Sequence, residues 1–159
     1  MVKLDNPWIL WSHSINDNNW GKNSYKKLYE INNLYDYNIL KDTINTNNLQ
    51  NTMLFLMRKN IYPMWEDPEN RMGSCASYKI PNDNILETWN ILTLNSISEN
   101  IMKNIDDYKD INGISIAPKK EFNILKIWFK TNIEDMDKVK EITPYIIESN
   151  CRIKKHIIE

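Results

Sequence analysis

Hydrophobic and polar positions along the chain form short apolar stretches, separated by segments whose apolar residues repeat every three or four positions. The short stretches predict β-strands. They cover Pro7–Ser14, Tyr25–Ile31, Met53–Met57, Ser74–Ile80, Gly113–Ala117, Asn123–Lys130 and Cys151–Ile158. The longer repeats predict α-helices over Leu34–Ile44, from Asn82 onward with Asn82 or Asp83 as the cap, and over Glu134–Ser149 with a kink at Pro144.

The order of these elements predicts the fold class. Strands outnumber helices and do not alternate with them, while Asn45–Asn51 is a polar loop and Asn100–Asp110 ends in a turn. We therefore expect an α+β protein with an antiparallel sheet, helices on one face, and a single domain over residues 1–159. Trp8 and Trp11 differ in parity along the first strand, so at most one of them is expected to face the core.

Composition narrows the class of protein. Hydrophobic residues make up 42% of the chain and aromatic residues 11%, which indicates a folded protein. Lys and Arg number 20 against 21 Asp and Glu, so the net charge is −1 and any site for an anion must be local. No apolar run approaches the roughly 18 residues of a membrane span, and we expect an intracellular protein without membrane association.

Catalytic and metal chemistry find little support in the sequence. The cysteines and histidines (Cys75, Cys151, His13 and His156) lack metal-ligand spacing and suggest no nucleophile–base pair. We predict two free thiols in a reducing compartment, no metal and no cofactor. Adjacent Asp106 and Asp107 point apart, which favours a turn over a catalytic carboxylate pair. The sequence therefore predicts a binding protein rather than an enzyme.

The loop Ile61–Gly73 carries the clearest binding signal. Trp65 and Glu66 are adjacent in it, bracketed by Pro63 and Pro68. The ring face favours a stacked cation, and the carboxylate accepts two parallel N–H bonds. N7-methylguanine satisfies both conditions, because its methyl group makes the base cationic and its N–H donors lie on one edge. A hydrophobic turn with a solvated acid is the structural alternative, and an aromatic cage for methylated protein side chains is another binding alternative.

The spacing of several landmarks resembles the eukaryotic translation initiation factor 4E family, which binds the 7-methylguanosine cap of messenger RNA. The match is strongest at Pro-Met-Trp65-Glu66-Asp-Pro-Glu-Asn-Arg-Met-Gly73. The other landmarks, in family order, are Trp8-x-x-Trp11, Trp20, Trp89, Asp106-Asp107-Tyr108, Gly113 and Ile127-Trp128. The resemblance implies a curved antiparallel sheet with helices packed on its convex face.

The family resemblance also implies roles for individual residues. Trp20 and Trp65 would sandwich the methylated base, Glu66 and the Trp65 backbone N–H would bind its edge, and Trp128 would contact the methyl group. Lys119 would lie near the cap phosphates. The family's second phosphate-binding residue falls on Ile124 here, and Lys126 or Lys120 is expected to take over that role.

The resemblance further implies a dorsal face for a scaffold protein of the initiation factor 4G type. The family's dorsal tryptophan aligns with Asn38, so a divergent, dedicated scaffold is expected. Its predicted contacts are Leu34, Tyr37, Asn38, Leu94 and Ile97. A short, divergent, virus-encoded member fits these departures.

The function implied is that of a monomeric cytoplasmic factor, in the host cytoplasm if viral, that recruits 5′-capped mRNA for translation initiation. Loss of the dorsal tryptophan leaves an alternative: a competitor that sequesters capped RNA or regulates translation without joining the scaffold complex.

Overall fold

A computed structural model describes residues 3–156 as one antiparallel sheet with three α-helices. The strands are β1 (Lys3–Ser14), β2 (Lys26–Asn33), β3 (Thr52–Arg58), β4 (Ser74–Pro81), β5 (Ile111–Pro118), β6 (Phe122–Phe129) and β7 (Cys151–Lys155). The helices are α1 (Leu34–Thr43), α2 (Thr46–Asn51) and α3 (Ile85–Ile97). The strand order is β2-β1-β3-β5-β6-β4-β7, and every pair is antiparallel. The predicted α+β class is confirmed.

The sheet buries apolar side chains on both faces. On the helical face, Trp8 and Trp89 belong to the main core, where each fully buried large side chain contributes about 1.5–3 kcal/mol. The opposite face, here called the open face, carries a smaller cluster that includes Trp11, Phe55 and Trp128. Trp8 and Trp11 therefore point to opposite faces of the sheet, as their parity requires. Both side chains are nevertheless buried, because each face carries its own apolar cluster, so the expectation that at most one would face a core was wrong.

Side-chain caps decide where two of the helices begin. Asn33 caps α1 by accepting a hydrogen bond from the backbone N–H of Asp36 at 2.8 Å. Asn45 and Asn48 form a reciprocal capping box that starts α2. The prediction of a loop over Asn45–Asn51 was therefore wrong, because the asparagines that lower helix propensity also satisfy the free N–H groups of the first turn.

The predicted helix over Glu134–Ser149 is also wrong. This segment is irregular, apart from a short 3₁₀ turn at Glu148–Asn150. Its backbone pairs instead with an earlier segment: Lys103 N–H donates to Lys138 at 2.8 Å, and Lys140 N–H donates to Ile101 at 2.9 Å. The apolar residues spaced like a helix still reach the core, since Met136, Val139 and Ile146 are all buried.

Smaller differences concern the ends of elements. A 3₁₀ turn over Asn82–Asn84 precedes α3, whose N-cap is Asn84 without a side-chain bond, so neither Asn82 nor Asp83 is the cap. The predicted turn near Asp106 is a 3₁₀ helix over Ile105–Asp110. The last strand ends at Lys155, and the rest of its predicted span includes residues outside the described part. Within residues 3–156, no helix is long and apolar enough to cross a bilayer.

A partly buried ion pair fixes the end of β3, where the chain turns toward the Ile61–Gly73 loop. The Arg58 guanidinium donates to both carboxylate oxygens of Glu99, at 2.6 and 2.5 Å. It also donates to the carbonyls of Ile111 and Tyr108 and lies 4.5 Å from the Trp8 ring centroid. The bidentate geometry and the extra acceptors satisfy this partly buried cation.

Candidate ligand-binding site

A cavity of about 300 Å³ lies on the open face of the sheet. It brings together five residues that the sequence singled out: Trp20, Trp65, Glu66, Lys126 and Trp128. They come from the loop after β1, the loop after β3, and strand β6. The fold thus brings side chains that are separated by more than a hundred positions in the sequence to a single site.

Trp20 forms one wall, supported from behind by His13. The two rings are parallel within 5°, with centroids 4.0 Å apart. The His13 nitrogens lie 2.8 Å from the carbonyl oxygens of Ser14 and Asn19, so the buried imidazole ties the Trp20 loop to the end of β1. Trp20 remains 50% exposed. One ring face is therefore covered by His13, while the side chain also borders the cavity.

Trp65 forms another wall, stacked on His156. The ring centroids are 4.9 Å apart and the planes differ by 22°. His156 Nδ1 lies 2.7 Å from the carbonyl oxygen of Asn70, which can only accept, so Nδ1 carries the proton. Nε2 lies 3.0 Å from the Cys75 sulfur and accepts from its thiol.

Burial sets the protonation of both groups behind Trp65. Burial lowers the pKa of His156, and the positive charge of Lys126 lowers it further. The hydrogen bond to the Asn70 carbonyl and the negative charge of Glu66 act in the opposite direction. Burial also raises the pKa of the Cys75 thiol to about 12, although Lys126 opposes the shift. A neutral imidazole and a protonated thiol are thus the forms that the site favours near pH 7. Cys75 and Cys151 are both free, as predicted.

Buried amides hold the Trp65–Glu66 loop in shape. The Asn70 side chain donates to the carbonyls of Tyr62 and Met64, at 3.0 and 2.8 Å. Asn112 donates to the Asn70 side-chain oxygen at 2.9 Å, and the Asp67 carboxylate accepts from the Tyr62 N–H at 2.8 Å. Because these bonds satisfy the loop from within, Trp65 and Glu66 are presented by an ordered backbone.

Gly73 closes this loop at a point of close backbone approach. A Cβ atom there would lie 1.9 Å from the carbonyl oxygen of Phe129. Any larger residue would push the loop away from β6, the strand that carries Trp128. The glycine is therefore required by the register between the loop and the sheet.

The floor of the cavity is Trp128, which is buried and whose Nε1 donates to the Ser115 hydroxyl at 3.0 Å. Sequence reasoning missed Tyr25, Met53 and Phe55, which also line the cavity. Met53 and Phe55 occupy alternate positions of β3, and this apolar alternation was the signal available in the sequence. Tyr25 directly precedes β2 and had no comparable signal. Burial, with a contribution from the Glu66 charge, raises the pKa of Tyr25 to about 12, so its phenol stays protonated.

The lysines expected near an anion do not all lie together. Lys126 lines the cavity, on the same face of β6 as Trp128. Lys119 instead lines a separate groove, and Lys120 is exposed in the connection between β5 and β6. The aromatic cavity therefore includes Lys126 but neither of the other two.

The residues predicted to form the dorsal face fall into a buried group and an exposed group. Tyr37 is 6% exposed and donates its hydroxyl to the Asn90 carbonyl, and Ile97 is 1% exposed, so the expectation that these two offer a docking surface was wrong. Leu34, Asn38 and Leu94 are exposed. Exposed apolar neighbours that the sequence reasoning left out of this surface are Tyr35 and Ile39.

Within residues 3–156, no group of three or more Asp, Glu, His or Cys side chains is arranged to hold a metal ion. The donors of the cavity are instead aromatic faces, one carboxylate, one phenol and one ammonium group. Such a set suits a planar organic ligand that carries both positive and negative groups.

Comparison with known proteins gives the family. The family model for eukaryotic initiation factor 4E matches residues 3–156. The chain is similar to a eukaryotic translation initiation factor 4E homolog of Acanthamoeba polyphaga mimivirus, with 26% identity covering 73% of this chain and 50% of the relative. It is also similar to the isoform 4E factor of Capsicum annuum, with 28% identity covering 81% of this chain and 65% of that protein. The chain thus spans about half to two thirds of the length of these curated relatives.

Solved structures agree on the fold. Ascaris suum initiation factor 4E-3, crystallised with the m7G cap, has a TM-score of 0.73 at 19% identity, covering 84% of this chain and 76% of that one. Caenorhabditis elegans initiation factor 4E-3, in complex with the 4E-binding protein Mextli and a cap analog, has a TM-score of 0.73 at 20% identity, covering 82% and 75%. The chain belongs to the eukaryotic initiation factor 4E family.

Proposed function

We propose that this protein binds the 7-methylguanosine cap of messenger RNA in the aromatic cavity and recruits capped RNA for translation initiation. The observation that carries the proposal is the meeting of Trp20, Trp65, Glu66, Lys126 and Trp128 around one cavity. The family membership and the cap-bound relatives support it.

The two tryptophans would select the methylated base by its charge. N7-methylation makes guanine cationic, and an aromatic face attracts a cation by about 0.5–2 kcal/mol, more when water is excluded. Trp20 and Trp65 each have one supporting histidine ring, which leaves indole surface for the base. Trp128 on the floor would contact the methyl group.

Glu66 would read the edge of the base. A carboxylate accepts from the N1–H and N2–H₂ groups of guanine, which adenine and the pyrimidines do not present together. Among the hydrogen bonds within residues 3–156, none uses the backbone N–H of Trp65, which leaves it to donate to the guanine O6. Lys126, at the same cavity, would bind the cap phosphates.

Retention on a 7-methyl-GTP resin tests the proposal. We expect the protein to be retained, to elute with 7-methyl-GTP, and not to elute with unmethylated GTP at the same concentration. Elution by a trimethyl-lysine peptide but not by 7-methyl-GTP would instead identify a cage for methylated side chains. Retention that both nucleotides reverse equally would contradict recognition of the methyl group.

A second candidate function, a cap-sequestering competitor, is favoured by the dorsal surface. The position aligned with the family's dorsal tryptophan is the exposed amide Asn38, which offers no aromatic anchor for a scaffold helix. A pull-down on immobilised cap separates the two functions. We expect a cytoplasmic, monomeric factor with a dedicated scaffold to co-purify a 4G-like protein, whereas a competitor would hold capped RNA without it.

A further inference from the structure

A second cavity, of about 490 Å³, opens beside the aromatic cavity at the β4–β7 edge of the sheet. We call it the basic groove, and its lining includes Ser77, Lys79, Lys119, Phe122 and Arg152. Three of these side chains are cationic, and no acidic residue among those described lines the groove. In a chain with net charge −1, this is a local concentration of positive charge.

The strand register makes the basic groove continuous with the aromatic cavity. Lys126 on β6 pairs with Ser77 on β4, and Ser77 pairs with Arg152 on β7. Directly paired residues of antiparallel strands project to the same face, so the three side chains form one row. Two strand spacings separate Lys126 from Arg152, which is about 10 Å. The positive charge therefore continues from the cavity to the edge of the sheet.

The cations of the groove are available to an anion. Within residues 3–156, the salt bridges involve Arg58, Lys59 and Lys130, and none involves Lys79, Lys119 or Arg152. The Lys79 ammonium lies 4.8 Å from the ring centroid of half-buried Phe122. A cation beside an aromatic ring matches the pattern of single-stranded nucleic-acid sites, where cations follow the backbone and rings stack on bases.

We propose that the basic groove binds the first ribonucleotides that follow the cap, with Arg152 and Lys79 contacting their phosphodiesters. This inference rests on the proposed function, since the cap's phosphate bridge would leave the aromatic cavity past Lys126. Lys119 then acts on the RNA body rather than on the cap phosphates. Neither Arg152 nor Lys79 stood out in the sequence, because only the pairing of β4, β6 and β7 places them beside Lys126.

The experiment compares two ligands, 7-methyl-GTP and a capped five-nucleotide RNA, by fluorescence titration over a range of salt concentrations. We expect wild type to bind the capped RNA about tenfold more tightly than 7-methyl-GTP. Arg152→Gln and Lys79→Gln should each weaken capped-RNA binding about threefold to fivefold and leave 7-methyl-GTP binding within twofold. Each variant should also reduce the slope of log affinity against log salt for the capped RNA by about 0.7.

Lys155→Gln is the matched control, because it removes the same charge from the same strand on the opposite face. It should change neither affinity. Equal binding of the two ligands by wild type, or equal weakening of both ligands in Arg152→Gln and Lys79→Gln, would overturn the inference. A phosphopeptide that displaces the capped RNA in one titration, but does not displace 7-methyl-GTP in the other, would overturn the inference in favour of a protein ligand for the basic groove. Absence of 7-methyl-GTP binding by wild type would defeat the proposed function itself, and this inference with it.

Discussion

Trp20 lies parallel to the buried imidazole of His13, with ring centroids 4.0 Å apart. His13 also contacts the carbonyl oxygens of Ser14 and Asn19, at 2.8 Å each, so a single side chain both supports the indole and ties down the loop that carries it. A site on a mobile loop would lose affinity in ordering that loop. We infer that His13 pre-organises Trp20 for a stacked ligand.

Removing this support should weaken ligand binding. In His13→Ala we expect 7-methyl-GTP affinity to fall about fivefold, or ~1 kcal/mol, because the Trp20 loop must then be ordered on binding. His13→Phe keeps a ring behind Trp20 and should recover part of the loss. Quenching of tryptophan fluorescence measures both affinities. Equal affinities for the two variants would show that stacking does not position Trp20.

Each stacking wall should itself be essential. Trp20→Ala and Trp65→Ala should each cost at least ~2 kcal/mol of 7-methyl-GTP binding, since the cation then keeps only one ring face. Circular dichroism should report an intact fold for Trp20→Ala, because half of that side chain is exposed. Near-normal affinity in either variant would contradict a pocket with two stacking faces.

Glu66 offers a test that preserves shape. Glu66→Gln replaces an acceptor oxygen by a donor that faces the donors of the base, which leaves a donor unpaired and should cost at least ~2 kcal/mol. Glu69→Gln is the matched control, since it makes the same change in the same loop at an exposed residue paired with Lys130. In titration calorimetry, a loss below about threefold for Glu66→Gln would remove this residue from the site.

His156 should make stability depend on pH. Its pKa is lowered in the folded state from an ordinary value of 6.5, chiefly by burial, so the unfolded chain binds more protons in this range. Stability is therefore full above about pH 6.5 and falls as the pH decreases through the folded-state pKa. We expect urea unfolding to show a loss of stability between pH 7.5 and 5 that is smaller in His156→Phe. This variant keeps a ring behind Trp65, and an unchanged loss would show that His156 does not titrate on unfolding.

The dorsal surface predicts weak binding of a standard scaffold helix. Asn38 is exposed on α1, and an amide there lacks the aromatic anchor that makes an interface hot spot. Fluorescence polarisation with a generic Tyr-x-x-x-x-Leu-hydrophobic peptide should show that Asn38→Trp binds ~2 kcal/mol more tightly than wild type. Thr43→Trp, about 140° around the same helix, is the control and should have no effect. Submicromolar wild-type binding, unchanged in Asn38→Trp, would show that Asn38 does not define partner choice.

Sequence reasoning succeeded where local chemistry dominates. The loop after β3 is punctuated by prolines and ends in a glycine that approaches the Phe129 carbonyl, so its residues could be recognised from their own pattern. It failed over Asn45–Asn51 and Glu134–Ser149 for opposite reasons. In the first segment, an asparagine capping box stabilised a helix that the composition argued against. In the second, hydrogen bonds to Ile101 and Lys103 replaced the helical bonds that the apolar spacing suggested.

The sequence by itself determined the antiparallel α+β class and the Trp65–Glu66 loop, because side-chain alternation and turn residues are local properties. Trp20 and Trp128 were singled out only by the resemblance to a known family, and Tyr25 and Phe55 were missed. Only the tertiary structure decided which lysine joins the cavity, which dorsal residues are buried, and which histidine supports each tryptophan. These outcomes depend on strand order and register, which bring residues as distant as Cys75 and His156 within 3.0 Å. No spacing along the chain encodes such a contact, since it exists only because β7 pairs with β4, the strand that carries Cys75.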